Sequence, residues 1–159
     1  MIEAVRRFFT RTMMPVAPES EAAGSDREDE RRRLHVAACA LLLELAHADE
    51  EFTAREREHV ETAVRRHLDL DEGAAQELLE LADQERKAAI DLYQFTSLIR
   101  ENYDVAQKTV LAEIMWGVIL ADGELHNDET YLLRKIANLL DLKPGFLSHA
   151  RKQAIERGE

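Results

Sequence analysis

The chain carries one pattern twice. Ala48-Asp49-Glu50-Glu51-Phe52 is followed by Glu56, Val60 and Ala63, and Ala121-Asp122-Gly123-Glu124-Leu125 is followed by Glu129, Leu133 and Ile136. The copies lie 73 residues apart, from Ala48 to Ala121, and the register slips by one only after the second helix, where Leu68-Asp69-Leu70 answers Leu140-Asp141-Leu142. Each copy reads as an apolar helix ending in Ala-Asp, a short acidic turn and a second, amphipathic helix. Such a hairpin leaves its apolar face uncovered, so two copies in one chain are expected to share a core.

Composition narrows the class. A chain of 159 residues is one domain's worth, and with three prolines, six glycines and an abundance of Ala, Leu, Glu and Arg it favours helix nearly throughout. A net charge of −11 repels a phosphate backbone and argues against nucleic acid as a partner. Cys39, the single cysteine, excludes an internal disulfide, fits a reducing compartment and is expected to be a buried thiol within Val36–Leu45. No apolar run reaches the roughly 18–20 residues a membrane span needs. Met1–Met14 lacks the pattern of a secretory signal, so the expected location is the cytoplasm, with peripheral membrane contact through the N-terminus.

That N-terminus, residues 1–14, places Ile2, Val5, Phe8 and Phe9 at helical spacing beside Arg6, Arg7 and Arg11. A basic amphipathic helix of this kind suits an anionic membrane surface or a partner groove; the simpler reading is a frayed or self-docked terminus. Residues 15–24 read as a flexible linker. A helical domain is expected over 25–157. Ser25–Glu28 and Thr53–Glu56 have the form of capping boxes, opening helices that run to about Ala48 and from Ala54 to His67. Asp71 caps a third helix with Leu78, Leu79 and Leu81 inward. A fourth covers Asp91–Asn102. Asp104–Gln107 caps a fifth, which is apolar on all sides around Leu111, Ile114, Met115, Trp116, Val118 and Ile119, and is therefore expected to be the central helix. A sixth opens at His126 or Asn127 and runs to about Leu140, and Pro144 suits the first position of a last helix. Strand signals are absent. The expected fold is all-α: seven helices, arranged as two pseudo-symmetric three-helix units joined by the fourth, plus the tethered N-terminal helix.

Function is expected at the acidic turns. Asp49 and Asp122 stand at helix C-termini, where the helix dipole disfavours negative charge by a few tenths of a kcal/mol to about 1 kcal/mol. In one reading these acids accept amides of the next helix while Glu56 and Glu129 act as capping residues. In the other, Asp122, Glu124 and Glu129, with His126 in reach, offer oxygen ligands to a hard divalent cation, calcium or magnesium, with Asp49 and Glu56 forming a weaker first site because Glu50 replaces the glycine. The segment is not an EF-hand, since Asn127 and Leu133 occupy the places of its glycine and final glutamate.

Ala121–Glu124, Glu129 and the apolar helix before them, with the variant copy at Ala48–Glu51 and Glu56, resemble the TerB-like family, the helical domain associated with tellurite resistance. The likeness covers about Leu34–Glu156. It implies a seven-helix fold, a stress-response setting and metal binding through Asp49, Glu56, Asp122 and Glu129. Of the histidines, His35, His59, His67 and His149 are expected at packing or surface positions, and His47 beside Asp49 is placed to hydrogen-bond an acid. No Ser-His-Asp arrangement or phosphate loop is present. The expected function is a non-enzymatic, acidic sensor or interaction module with a protein partner; the alternative is a purely structural adaptor whose acids only cap helices.

Overall fold

Two helices carry apolar side chains around most of their circumference, and burying both at once organises the rest. The computed structural model describes residues 24–48, 53–121 and 127–156. Residues 1–23, the two turns 49–52 and 122–126, and 157–159 lie outside them, so the expected N-terminal helix and nearly all of the linker do as well. The described residues form seven helices and no strand: α1 Gly24–Ala46, α2 Ala54–Leu68, α3 Glu72–Ala88, α4 Tyr93–Asn102, α5 Val105–Leu120, α6 Asn127–Leu139 and α7 Pro144–Glu156.

The order and bounds follow the sequence signals to within about two residues. Asp104 and Gln107 form the expected reciprocal cap of α5, with Gln107 N–H donating to Asp104 Oδ1 at 2.8 Å and Asp104 N–H to Gln107 Oε1 at 2.7 Å. Asp71 caps α3 through Ala74 N–H at 2.8 Å, and Pro144 opens α7. Two starts differ. α1 already begins at Gly24, ahead of Ser25, and α4 begins at Tyr93 because Asp91 folds back to accept the Tyr93 amide at 2.9 Å.

The expectation of one central helix needs correcting to two. In α5 Leu111–Ile119 is buried without a break, but Ala37–Leu43 of α1 is buried as completely. The alanines of α1 at 37, 38, 40 and 46 have no long side chains to hold neighbours away, so α1 meets α3, α4, α5 and α6. The most extensive packings are α1 on α3 and α5 on α7; α1 and α5 also touch each other, α1 reaches α6 and α2 reaches α5. In α3 the buried stripe is Ala75, Leu78 and Ala82, while Leu79 and Leu81 are only half-buried. Arg86 of α3 fastens it to α1, donating to Glu44 at 3.0 Å and to Asp83 at 2.8 Å. Burial raises the Asp83 carboxyl, but the hydrogen bonds and charges of Arg86 and Lys87 outweigh it and hold the group below its ordinary value.

Both Leu-Asp-Leu segments end their helix in the same way. Asp69 and Asp141 have φ of 56° and 61°, the left-handed region. Leu70 N–H donates to the Arg65 carbonyl at 3.1 Å and Leu142 N–H to the Ala137 carbonyl at 2.9 Å, the closing bond of a Schellman turn. The leucine after each aspartate then packs on the core.

Buried ionisable groups agree with a tight interior. Cys39 is fully buried and its thiol is pushed up to about 12, so it is inert at neutral pH. His67, expected at a partly exposed position, is instead buried at the end of α2. His35 is pushed down to about 4 by burial and then by the positive charge of Arg31.

Two predictions follow from these turns and groups. Glycine adopts left-handed backbone without strain, so Asp141→Gly is expected to stabilise the protein by about 0.5–1 kcal/mol and Asp141→Val to destabilise it by about 1–2 kcal/mol in urea unfolding. Equal effects of the two would remove the backbone explanation. His35 stays neutral in the fold to about pH 4, whereas the unfolded chain protonates it near 6.5. The unfolded state therefore binds the extra proton in that window, and stability should fall by up to about 3 kcal/mol as pH drops from 6.5 to 4. His35→Gln should flatten that decline; an unchanged pH profile would count against the assignment.

Candidate functional site

The acidic turns join α1 to α2 and α5 to α6. Of the six residues the sequence nominates, Asp49, Asp122, Glu124 and His126 lie outside the described residues, while Glu56 and Glu129 lie within them. Glu56 is in the first turn of α2 and Glu129 in the first turn of α6, 73 residues apart. Glu56 is 2 % exposed and Glu129 1 % exposed. They are enclosed because each projects from the first turn of a helix whose apolar side is set into the core by Val60 and Val64 in one case and Leu133 and Ile136 in the other.

Carboxylates are almost never so deeply enclosed unless something compensates their charge. Part of the compensation at Glu56 is local. The Thr53 hydroxyl accepts the Glu56 amide at 3.1 Å and donates to Glu56 Oε1 at 3.3 Å, so backbone and side chain are both held by the cap residue. Both carboxylates also sit in first turns, where free amides and the positive end of the helix dipole favour negative charge.

His47, just before the first turn, has Nδ1 2.7 Å from the Leu43 carbonyl. A carbonyl only accepts, so the ring proton is at Nδ1, and a neutral His47 presents an acceptor at Nε2. Sequence spacing placed His47 near an acid; it did not reveal this bond back to the helix, which depends on the ring's rotamer. Among the described residues, no group of three or more His, Cys, Asp and Glu side chains is gathered to hold a metal ion. Nor is any helix among them long and apolar enough to cross a membrane.

The sequence that folds into these seven helices is matched by a family model. The model described as Tellurite resistance protein TerB covers residues 35–152. The chain belongs to the TerB family. No curated protein and no solved structure matched in the corresponding searches. The matched span begins within α1 and ends within α7, so it takes in both turns and both glutamates of this TerB chain.

Thr53→Ala removes both bonds of the cap and is expected to cost about 1 kcal/mol in stability. An unaltered unfolding midpoint would show that the hydroxyl does not hold Glu56 in place.

Proposed function

We propose that this TerB-family chain is a non-enzymatic helical module whose second acidic turn binds a divalent cation and thereby sets the angle between α5 and α6. The observation that carries this reading is the burial of Glu129, and of Glu56 at the matching place of the first copy. A core that needed only to be filled would take apolar side chains there. Carboxyl oxygens held out of water are what a hard cation such as calcium or magnesium selects, and the end of α5 contributes backbone carbonyls beside Asp122. Asp122, Glu124 and Glu129, with His126, are the proposed ligands at the second turn; Asp49 and Glu56 are those of a weaker first site.

A cation drawing these groups together would change the relation of two helices that both touch the core. That is a means of signalling to a protein partner. The two halves, α1–α3 and α5–α7, are read as related by an approximate twofold, since α1 packs on α3 as α5 does on α7, and α1 meets α6 as α5 meets α2.

A second reading has its own observation. The Thr53 hydroxyl already engages Glu56, which is what an acid serving only to stabilise a helix start would do. By this account the module is a structural adaptor.

Calorimetric titration with calcium, magnesium, manganese and zinc separates the two. The cation reading expects saturable heat, a raised unfolding temperature, and loss of both in Glu129→Gln. It fails if wild type gives neither heat nor stabilisation at millimolar metal. The adaptor reading expects Asp122→Asn to lower stability without changing any response to metal.

A further inference from the structure

Each half of the chain encloses a cleft between its three helices, and the two clefts differ in charge. In the first half, Leu43, Glu61, Gln76 and Leu79 line a space of about 360 Å³ together with Glu80, Asp83 and one cation, Arg57. In the second half, the corresponding places in the repeat are held by Trp116, Arg134, Ser148 and Arg151, around a space of about 660 Å³. The register is 73 residues for the first two pairs and 72 for the last two, as the slip between Leu68 and Leu140 requires. Thus Arg134 stands where the first cleft has Glu61, and Arg151 where it has Leu79.

Among the described residues, the lining of the second cleft contains no carboxylate, in a chain with 32 acidic residues against 21 basic ones. One of its two cations is also held in place. The indole N–H of Trp116 donates to the Leu147 carbonyl at 3.2 Å, which fixes the ring. The Arg151 guanidinium lies over that ring, 5.5 Å from its centre. Stacking of this kind holds the flat face of a guanidinium and leaves its N–H edge to hydrogen-bond an oxyanion. Arg134 is exposed, and the amides of Asn127 and Asn138 and the Ser148 hydroxyl add neutral donors. Leu142, Pro144 and Leu147 make the remaining wall apolar.

We propose that the cleft between α5, α6 and α7 binds a small organic anion, a phosphate or carboxylate group on an apolar body. Arg134 and Arg151 hold the anionic group, and the Leu142–Leu147 wall takes the apolar part. A volume of about 660 Å³ suits such a ligand and exceeds what a bare oxyanion fills. The acidic protein as a whole repels anions, so the affinity must come from direct charge-assisted hydrogen bonds inside the cleft. The site uses none of the residues proposed to hold a cation, and it stands or falls separately.

Trp116, the single tryptophan, is its reporter. Titration with phenyl phosphate at low ionic strength should change Trp116 emission saturably, and phenyl phosphate should bind more tightly than inorganic phosphate. Arg134→Gln and Arg151→Gln, read by calorimetry because the second also alters the indole's surroundings, should each weaken binding about tenfold. Circular dichroism should confirm that both variants fold. Glu61→Gln in the sister cleft should leave binding unchanged. No saturable signal up to about 10 mM ligand, or binding undiminished in both arginine variants, overturns the assignment. Phenyl phosphate binding no tighter than inorganic phosphate overturns its apolar part.

Discussion

The structure depends on burying two mostly apolar helices, α1 and α5, in one interior. Neither can do so alone. α1 presents alanines and leucines from Ala37 to Ala46, and α5 presents Leu111, Ile114, Met115, Trp116, Val118 and Ile119. Each is covered mainly by the third helix of its own half, α1 next by the connecting α4, and the rest of the apolar surface is closed by contact between halves. Small residues on α1 let its neighbours approach closely, as close packing demands.

Against that interior, the two buried glutamates are costly. Other positions repeated between the copies, Val60 with Leu133 and Leu68 with Leu140, are apolar and need no explanation beyond the core. Glu56 and Glu129 keep an ionisable group at one place in both copies, under conditions where a leucine would be easier to bury. A helix-start cap accounts for an acid in the first turn, but caps work equally well at the surface. Burial is the part that capping leaves unexplained, and it is why a cation is the preferred reading of the turns.

Much of this fold was legible in the sequence, because its signals are local. Periodicity gave the helices, Asp71, Asp104 and Pro144 marked starts, and the repeated Leu-Asp-Leu marked two ends that share a left-handed aspartate. The errors have physical causes too. Only α5 was expected to be central, because the alanines of α1 are a weak hydrophobic signal, yet small side chains are what let a helix be surrounded. His67 was placed near the surface because periodicity assigns a face of its own helix and says nothing of what another helix lays over it. At the acidic turns, the sequence nominated Glu56 and Glu129 but did not show their depth, which is fixed by how α2 and α6 settle on the core.

The charge of the clefts was illegible for the same reason. Arg134 and Arg151 lie on different helices and mean little as isolated surface arginines; packing of α6 and α7 against Trp116 gives them a common wall. The internal repeat then supplies a comparison within one chain. Where the two copies agree, at the core positions, at the left-handed aspartates and at the buried glutamates, the residues serve packing, chain reversal or the turn. Where they disagree most sharply, at Glu61 against Arg134 and Leu79 against Arg151, the residues border open space, although Leu79 also packs on the core and Arg151 on Trp116. Glu61 and Arg134, neither of them buried, reverse the charge at one place in the repeat, and the anion proposed for the second cleft accounts for that reversal.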